Sequence, residues 1–93
     1  MSKVILEGHI IVPDADLSSV KEELDNHIKL TREENGCLVF NVTQDIDNKN
    51  RFNVYEEFTD RASFANHQDR AGKSRWALVT KNVQRHYQIE GNE

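Results

Sequence analysis

Phe52-Asn53-Val54-Tyr55-Glu56-Glu57-Phe58, running directly into Thr59-Asp60-Arg61-Ala62-Ser63-Phe64-Ala65-Asn66-His67-Gln68, is the stretch on which the fold turns. With period two, Phe52, Val54, Glu56 and Phe58 share one face of a strand, so a carboxylate stands where three apolar neighbours mark the core. An ionised group there is costly unless it is partnered. The segment that follows predicts a short helix over 60–68, in which Phe64 and His67 lie three residues apart and face the same way. Glu56 and His67 are therefore expected to converge on one apolar cavity, the usual setting for proton-transfer chemistry.

Working outward, Leu38, Phe40 and Val42 alternate in a second strand, and the polar residues 44–50 connect it to the first stretch as a hairpin. Upstream, residues 3–12 predict a strand with Val4, Leu6, Ile10 and Val12 on one face and Ile5 and Ile11 on the other. Between these strands Leu17, Val20, Leu24, Ile28 and Thr31 recur at helical spacing, which predicts a helix from about 16 to 34 with Gly36 as its stop. Downstream, Ala71-Gly72-Lys73 breaks the pattern. A second short helix is expected over 73–81, carrying Trp76, Leu78 and Val79, and a last strand alternates Val83, Arg85, Tyr87 and Ile89. The order β-α-β-β-α-β fits an α+β fold: a ferredoxin-like split β-α-β sandwich with helices over one face of an antiparallel four-stranded sheet. Because the first strand is apolar on both sides, a second sheet from another subunit is the expected cover, which makes the protein a homodimer.

The 93 residues suit a single domain over 1–93. A net charge of -4, with the 12 Lys and Arg scattered, argues against nucleic-acid binding. Glu7 and His9 interrupt the apolar run after Met1 too early for a leader or a membrane span. Cys37 is the only cysteine, so no internal disulfide is possible, and a reducing, cytoplasmic location is expected. It begins a strand with no basic partner and is read as structural. His9, His27, His67 and His86 are widely separated and no HxH or HxxxH spacing occurs, so neither a metal site nor a bound cofactor is expected.

These elements, together with Thr31-Arg32-Glu33-Glu34-Asn35-Gly36-Cys37-Leu38, Tyr55-Glu56 and Phe64-Ala65-Asn66-His67, resemble the antibiotic biosynthesis monooxygenase family of dimeric α+β barrels. The resemblance covers nearly the whole chain. It implies a small cofactor-independent oxygenase acting on quinols or polycyclic phenols, although similar chains include an isomerase of a small phosphorylated autoinducer sugar and haem-degrading enzymes. Many relatives carry a Pro-His pair shortly after the position of His67. This chain instead reads Asp69-Arg70-Ala71-Gly72-Lys73-Ser74-Arg75-Trp76, so Ser74, Arg75 or Trp76 would have to stand in for a second pocket imidazole. The first strand offers no Asn of the kind the haem degraders use.

The leading expectation is thus a cofactor-independent monooxygenase whose partners are a small electron-rich aromatic substrate and molecular oxygen. Such an enzyme needs a base to deprotonate a phenolic hydroxyl, an orienting acid and a dry cavity. His67 is the expected base, oriented by Glu56, with His27 on the first helix in reserve. Trp76, Phe40, Phe52 and Phe64 are expected as walls and Arg75 as a substrate contact. Tyr55 and Glu57, on the other face of their strand, are expected at the dimer interface. Two alternatives remain: an isomerase moving a proton along a small phosphorylated hydroxyketone, with Arg75 or Lys73 as its cation, and a non-enzymatic ligand-binding dimer.

Overall fold

In the computed structural model, which describes residues 3–91, the alternating stretch forms the third of four strands, and its even-numbered side chains are buried as expected. The first and last two residues of the expected 1–93 domain lie outside the described residues. Strand β3 (Arg51–Phe58) pairs antiparallel with β1 (Val4–Ile11) on one side and β2 (Cys37–Gln44) on the other. Strand β4 (Gln84–Glu90) pairs antiparallel with the outer side of β1, and the sheet order β2-β3-β1-β4 is that of a ferredoxin-like α+β sandwich.

Three helices cover one face of this sheet: α1 (Leu17–Arg32), α2 (Arg61–Gly72) and α3 (Arg75–Val79). The apolar spacing of α1 explains its docking, since Val20 is fully buried and Leu17, Leu24 and Ile28 pack on a core of Leu6, Ile10, Phe40 and Phe52. Glu56 lies opposite Leu6 of β1 and Phe40 of β2, so the sheet delivers it to the centre of the helix-covered face.

Several boundaries differ from the sequence reading, each for a local reason. Helix α2 runs four residues past 68, to Gly72, because Arg70 stays helical and turns its side chain inward. Helix α3 is shorter than 73–81. Ser74 is its N-cap, and at the other end Thr80 is fully buried with its hydroxyl donated to the carbonyl of Trp76 at 2.6 Å. The pairing of β2 shifts between Cys37, opposite Phe58, and Val39, opposite Glu57, which takes Leu38 out of the alternation and leaves it half exposed.

The opposite face of the sheet carries Ile5, Ile11 and Val39 among polar groups that include Glu7, His9, Tyr55 and His86. No element among the described residues covers it. No helix among the described residues is long and apolar enough to cross a membrane.

Candidate active site

Between the sheet and the helices lies a cavity of about 320 Å³, walled by Leu6 and Glu56 from the sheet, His27 from α1, His67 and Gln68 from α2, Trp76 from α3, and Arg85 and Tyr87 from β4. Glu56 reaches it by strand alternation. His67 reaches it because Asp60 caps α2, accepting a 2.8 Å hydrogen bond from the Ser63 amide, and so sets the rotation of the helix.

The His67 ring is closely packed. It stacks on Phe58 with centroids 5.0 Å apart and meets the edge of Phe40 at 5.6 Å. Its Nδ1 lies 3.1 and 3.3 Å from the two carboxylate oxygens of Glu34. Its Nε2 is 3.9 Å from Glu56 Oε1, beyond hydrogen-bonding distance. Orientation of His67 by Glu56 is therefore corrected: the hydrogen bond that holds the ring is accepted by Glu34. Arg70 Nε in turn grips Glu34 Oε2, and Arg70 Nη2 donates to the hydroxyl of fully buried Thr31 at 2.9 Å.

Glu56 Oε1 and His27 Nδ1 are buried and have no hydrogen-bond partner among the described residues. Burial, with Glu34 nearby, pushes the Glu56 carboxyl up to about 8, so it is predominantly protonated at neutral pH. Burial also takes His27 down to about 3, helped by His67 and Arg70. For His67 burial again dominates and lowers the pKa, while Glu34 opposes it. Near pH 7 the cavity therefore presents a neutral carboxylic acid and two neutral imidazoles.

His27 stacks on Trp76 at 4.5 Å, almost parallel, and its centroid is 6.1 Å from that of His67. The second imidazole comes from α1, so neither Ser74 nor Arg75 has to replace it. Trp76 lines the cavity. Phe40, Phe52 and Phe64 sit behind the lining, where Phe40 backs His27 and His67, Phe64 meets Phe58, and Phe52 is core. Arg75 is a correction: it lies 3.5 Å from Glu23 with a largely exposed side chain, away from the cavity lining. The charged residue that lines the wall is Arg85, which donates to Thr80 Oγ1 at 3.0 Å.

Sequence reasoning missed Glu34, Arg70, Arg85 and Tyr87. The first two are charged residues on different elements, and only the docking of α2 against the end of α1 joins them. Arg85 and Tyr87 share a face in the expected last strand, and that alternation was the available signal. Cys37 is half-buried, and burial, Glu34 and Glu56 all raise its thiol pKa, so the thiolate is disfavoured. No group of three or more His, Cys, Asp or Glu among the described residues could hold a metal ion.

A family model described as antibiotic biosynthesis monooxygenase matches residues 4–77. No curated protein matches the sequence. Among solved structures, one from Deinococcus radiodurans, described as a candidate antibiotic biosynthesis monooxygenase, is 23% identical with a TM-score of 0.77, the match covering 97% of this chain and 90% of that one. One from Nitrosomonas europaea with a similar description is 20% identical at TM-score 0.77, covering 98% and 88%. The protein PA3566 of Pseudomonas aeruginosa is 21% identical at TM-score 0.79, covering 99% and 93%. At these identities the likeness speaks for the fold.

Proposed function

The chain belongs to the antibiotic biosynthesis monooxygenase family, and from that premise we propose that it is a cofactor-independent monooxygenase of a small phenol or hydroquinone, acting as a cytoplasmic homodimer. One observation carries the reading: the His67 imidazole and a Glu56 carboxyl with no hydrogen-bond partner on Oε1 among the described residues stand 3.9 Å apart on the wall of a cavity of about 320 Å³, where burial favours the neutral form of both.

The neutral His67 takes the phenolic proton, and Arg85 on the wall places positive charge near the phenolate that results. The phenolate gives one electron to molecular oxygen, and the radical pair joins in a carbon–oxygen bond at the ring C–H para to the hydroxyl, or at an ortho C–H where, as in a hydroquinone, the para carbon already carries oxygen. The peroxide takes a proton from His67 or Glu56. Loss of the ring C–H proton, with cleavage of the O–O bond, then yields the quinone and one water. The substrate supplies all four electrons, one oxygen atom enters the ring and the other leaves in water. His67 is better matched to this role than His27, because a base held near 3 provides little driving force for taking a phenolic proton. The isomerase reading loses the two cations expected for it, since Arg75 pairs with Glu23 and Lys73 with Asp69 on the surface.

Oxygen uptake with a panel of hydroquinones and naphthols tests the proposal. One O₂ consumed per substrate, with one of its atoms in the product quinone and no peroxide released, is expected, and His67→Ala should slow it by about 10²- to 10⁴-fold. A folded protein that binds these compounds without consuming oxygen would reduce the function to ligand binding.

A further inference from the structure

We propose that Glu34 is the positioning residue of the cavity: it accepts the hydrogen on His67 Nδ1 and thereby presents a bare Nε2 to the substrate, while Arg70 and Thr31 hold Glu34 in place. The inference rests on His67 being the base. A carboxylate only accepts hydrogen bonds, and both oxygens of Glu34 lie within 3.3 Å of Nδ1, so the ring hydrogen belongs there. A neutral imidazole has one such hydrogen, which leaves Nε2 free on the side facing Glu56 and the cavity.

Two independent constraints act on the ring. Phe58 and Phe40 fix its plane by packing, but an apolar clamp is indifferent to which nitrogen carries the hydrogen. Glu34 makes that choice. The brace ties together three parts of the fold: Thr31 in α1, Glu34 in the turn after it, and Arg70 with His67 three residues apart on α2. The side chains of His67 and Glu34 are 4% and 16% exposed, so water competes poorly for the bond.

Glu34→Gln is the informative change because it is nearly isosteric. Arg70 Nε–H requires an acceptor, so the amide oxygen should stay on Arg70 and the NH₂ should face Nδ1. Nδ1 must then be bare and Nε2 protonated, which inverts the tautomer. Nitrogen-15 NMR of substrate-free protein reads this directly, since protonated and bare ring nitrogens resonate in separate ranges. Wild type should show the hydrogen on Nδ1 and Glu34→Gln the hydrogen on Nε2. A wild-type ring protonated on Nε2, or an unchanged pattern in the variant, would overturn the proposal.

If Glu34→Gln does not fold, the wild-type spectrum still decides, and Arg70→Met adds a second test. The groups facing His67 are Glu34, Arg70, Glu56 and His27. Removing the Arg70 charge, which lowers the His67 pKa, should move the His67 titration to higher pH without changing the tautomer. An unmoved titration would count against the brace. With active enzyme, Glu34→Gln should lower kcat/KM by about 10²- to 10⁴-fold, the range for loss of a general base. Wild type with the expected tautomer but no oxygen uptake would sink the proposed function and leave the positioning role standing.

Discussion

A carboxyl buried beside an imidazole can lower the cost of burial by remaining protonated, and Glu56 does so. Folding raises its pKa from 4.5 to about 8, so its stabilising effect is full below about 4.5 and is lost as pH rises through 8. The upper bound on that loss is about 5 kcal/mol. Glu56→Gln resembles the protonated form and cannot titrate. Thermal unfolding of both proteins from pH 5 to 9 should show wild type losing stability relative to the variant toward the alkaline end, and parallel curves would refute the assignment. His27 has the opposite sign: its lowered pKa contributes stability above about 6.5 that is lost as pH falls toward 3. That Glu56 faces the core was legible from the period of Phe52, Val54 and Phe58. Which acid holds His67 was not, because periodicity places side chains on faces but does not choose between two acids that approach one ring from different elements.

At the scale of elements, the strands and α1 were legible because each repeats an apolar period over several residues. The extent of α2 was not, since Asp69-Arg70 looks like a polar end until Arg70 is seen to turn inward. Nor was the β2 irregularity, which comes from fitting β2 against Phe58 and Glu57 and has no marker in Leu38 itself. The turn joining α1 to β2 is tightly fitted to the start of α2. Gly36 has φ +87°, and an added Cβ would lie 2.1 Å from the Ser63 hydroxyl. Gly36→Ala must meet a left-handed backbone cost of about 1–2 kcal/mol as well as the displacement of Ser63. Asp60→Ala removes only the cap, a loss of about 1 kcal/mol. Urea midpoints should therefore fall further for Gly36→Ala than for Asp60→Ala. The reverse order would mean that this turn yields and does not anchor α2.

For the molecule as a whole, the free face of the sheet decides the assembly. Four strands spaced about 4.8 Å, three of eight residues and β4 of seven, at about 3.3 Å per residue, span roughly 500 Å² of flat surface. A stable interface usually removes about 800 Å² per partner, so the flat projection alone falls short. Side-chain relief and the exposed edge strand β4, whose His86 and Gln88 lie on the same face as Ile5 and Ile11, are needed to make up the difference. A second copy seated across Ile5, Ile11 and Val39 and reaching β4 would bury both the apolar patch and that edge. The same face holds His9 and His86, stacked with centroids 4.8 Å apart. Desolvation, Arg51 and His86 lower the His9 pKa against the opposing pull of Asp45, so the contribution of His9 is present above about 6.5 and is lost as pH falls, and burial beneath a second copy would penalise its charged ring further. Sedimentation equilibrium at micromolar concentration should give twice the chain mass at pH 7.5 and a weaker dimer at pH 5.5. Ile5→Asp should dissociate it at both, because it places a charge opposite its own symmetry-related surface. A wild-type monomer at pH 7.5 would show that the chain tolerates this face in water, and the homodimer would have to be abandoned.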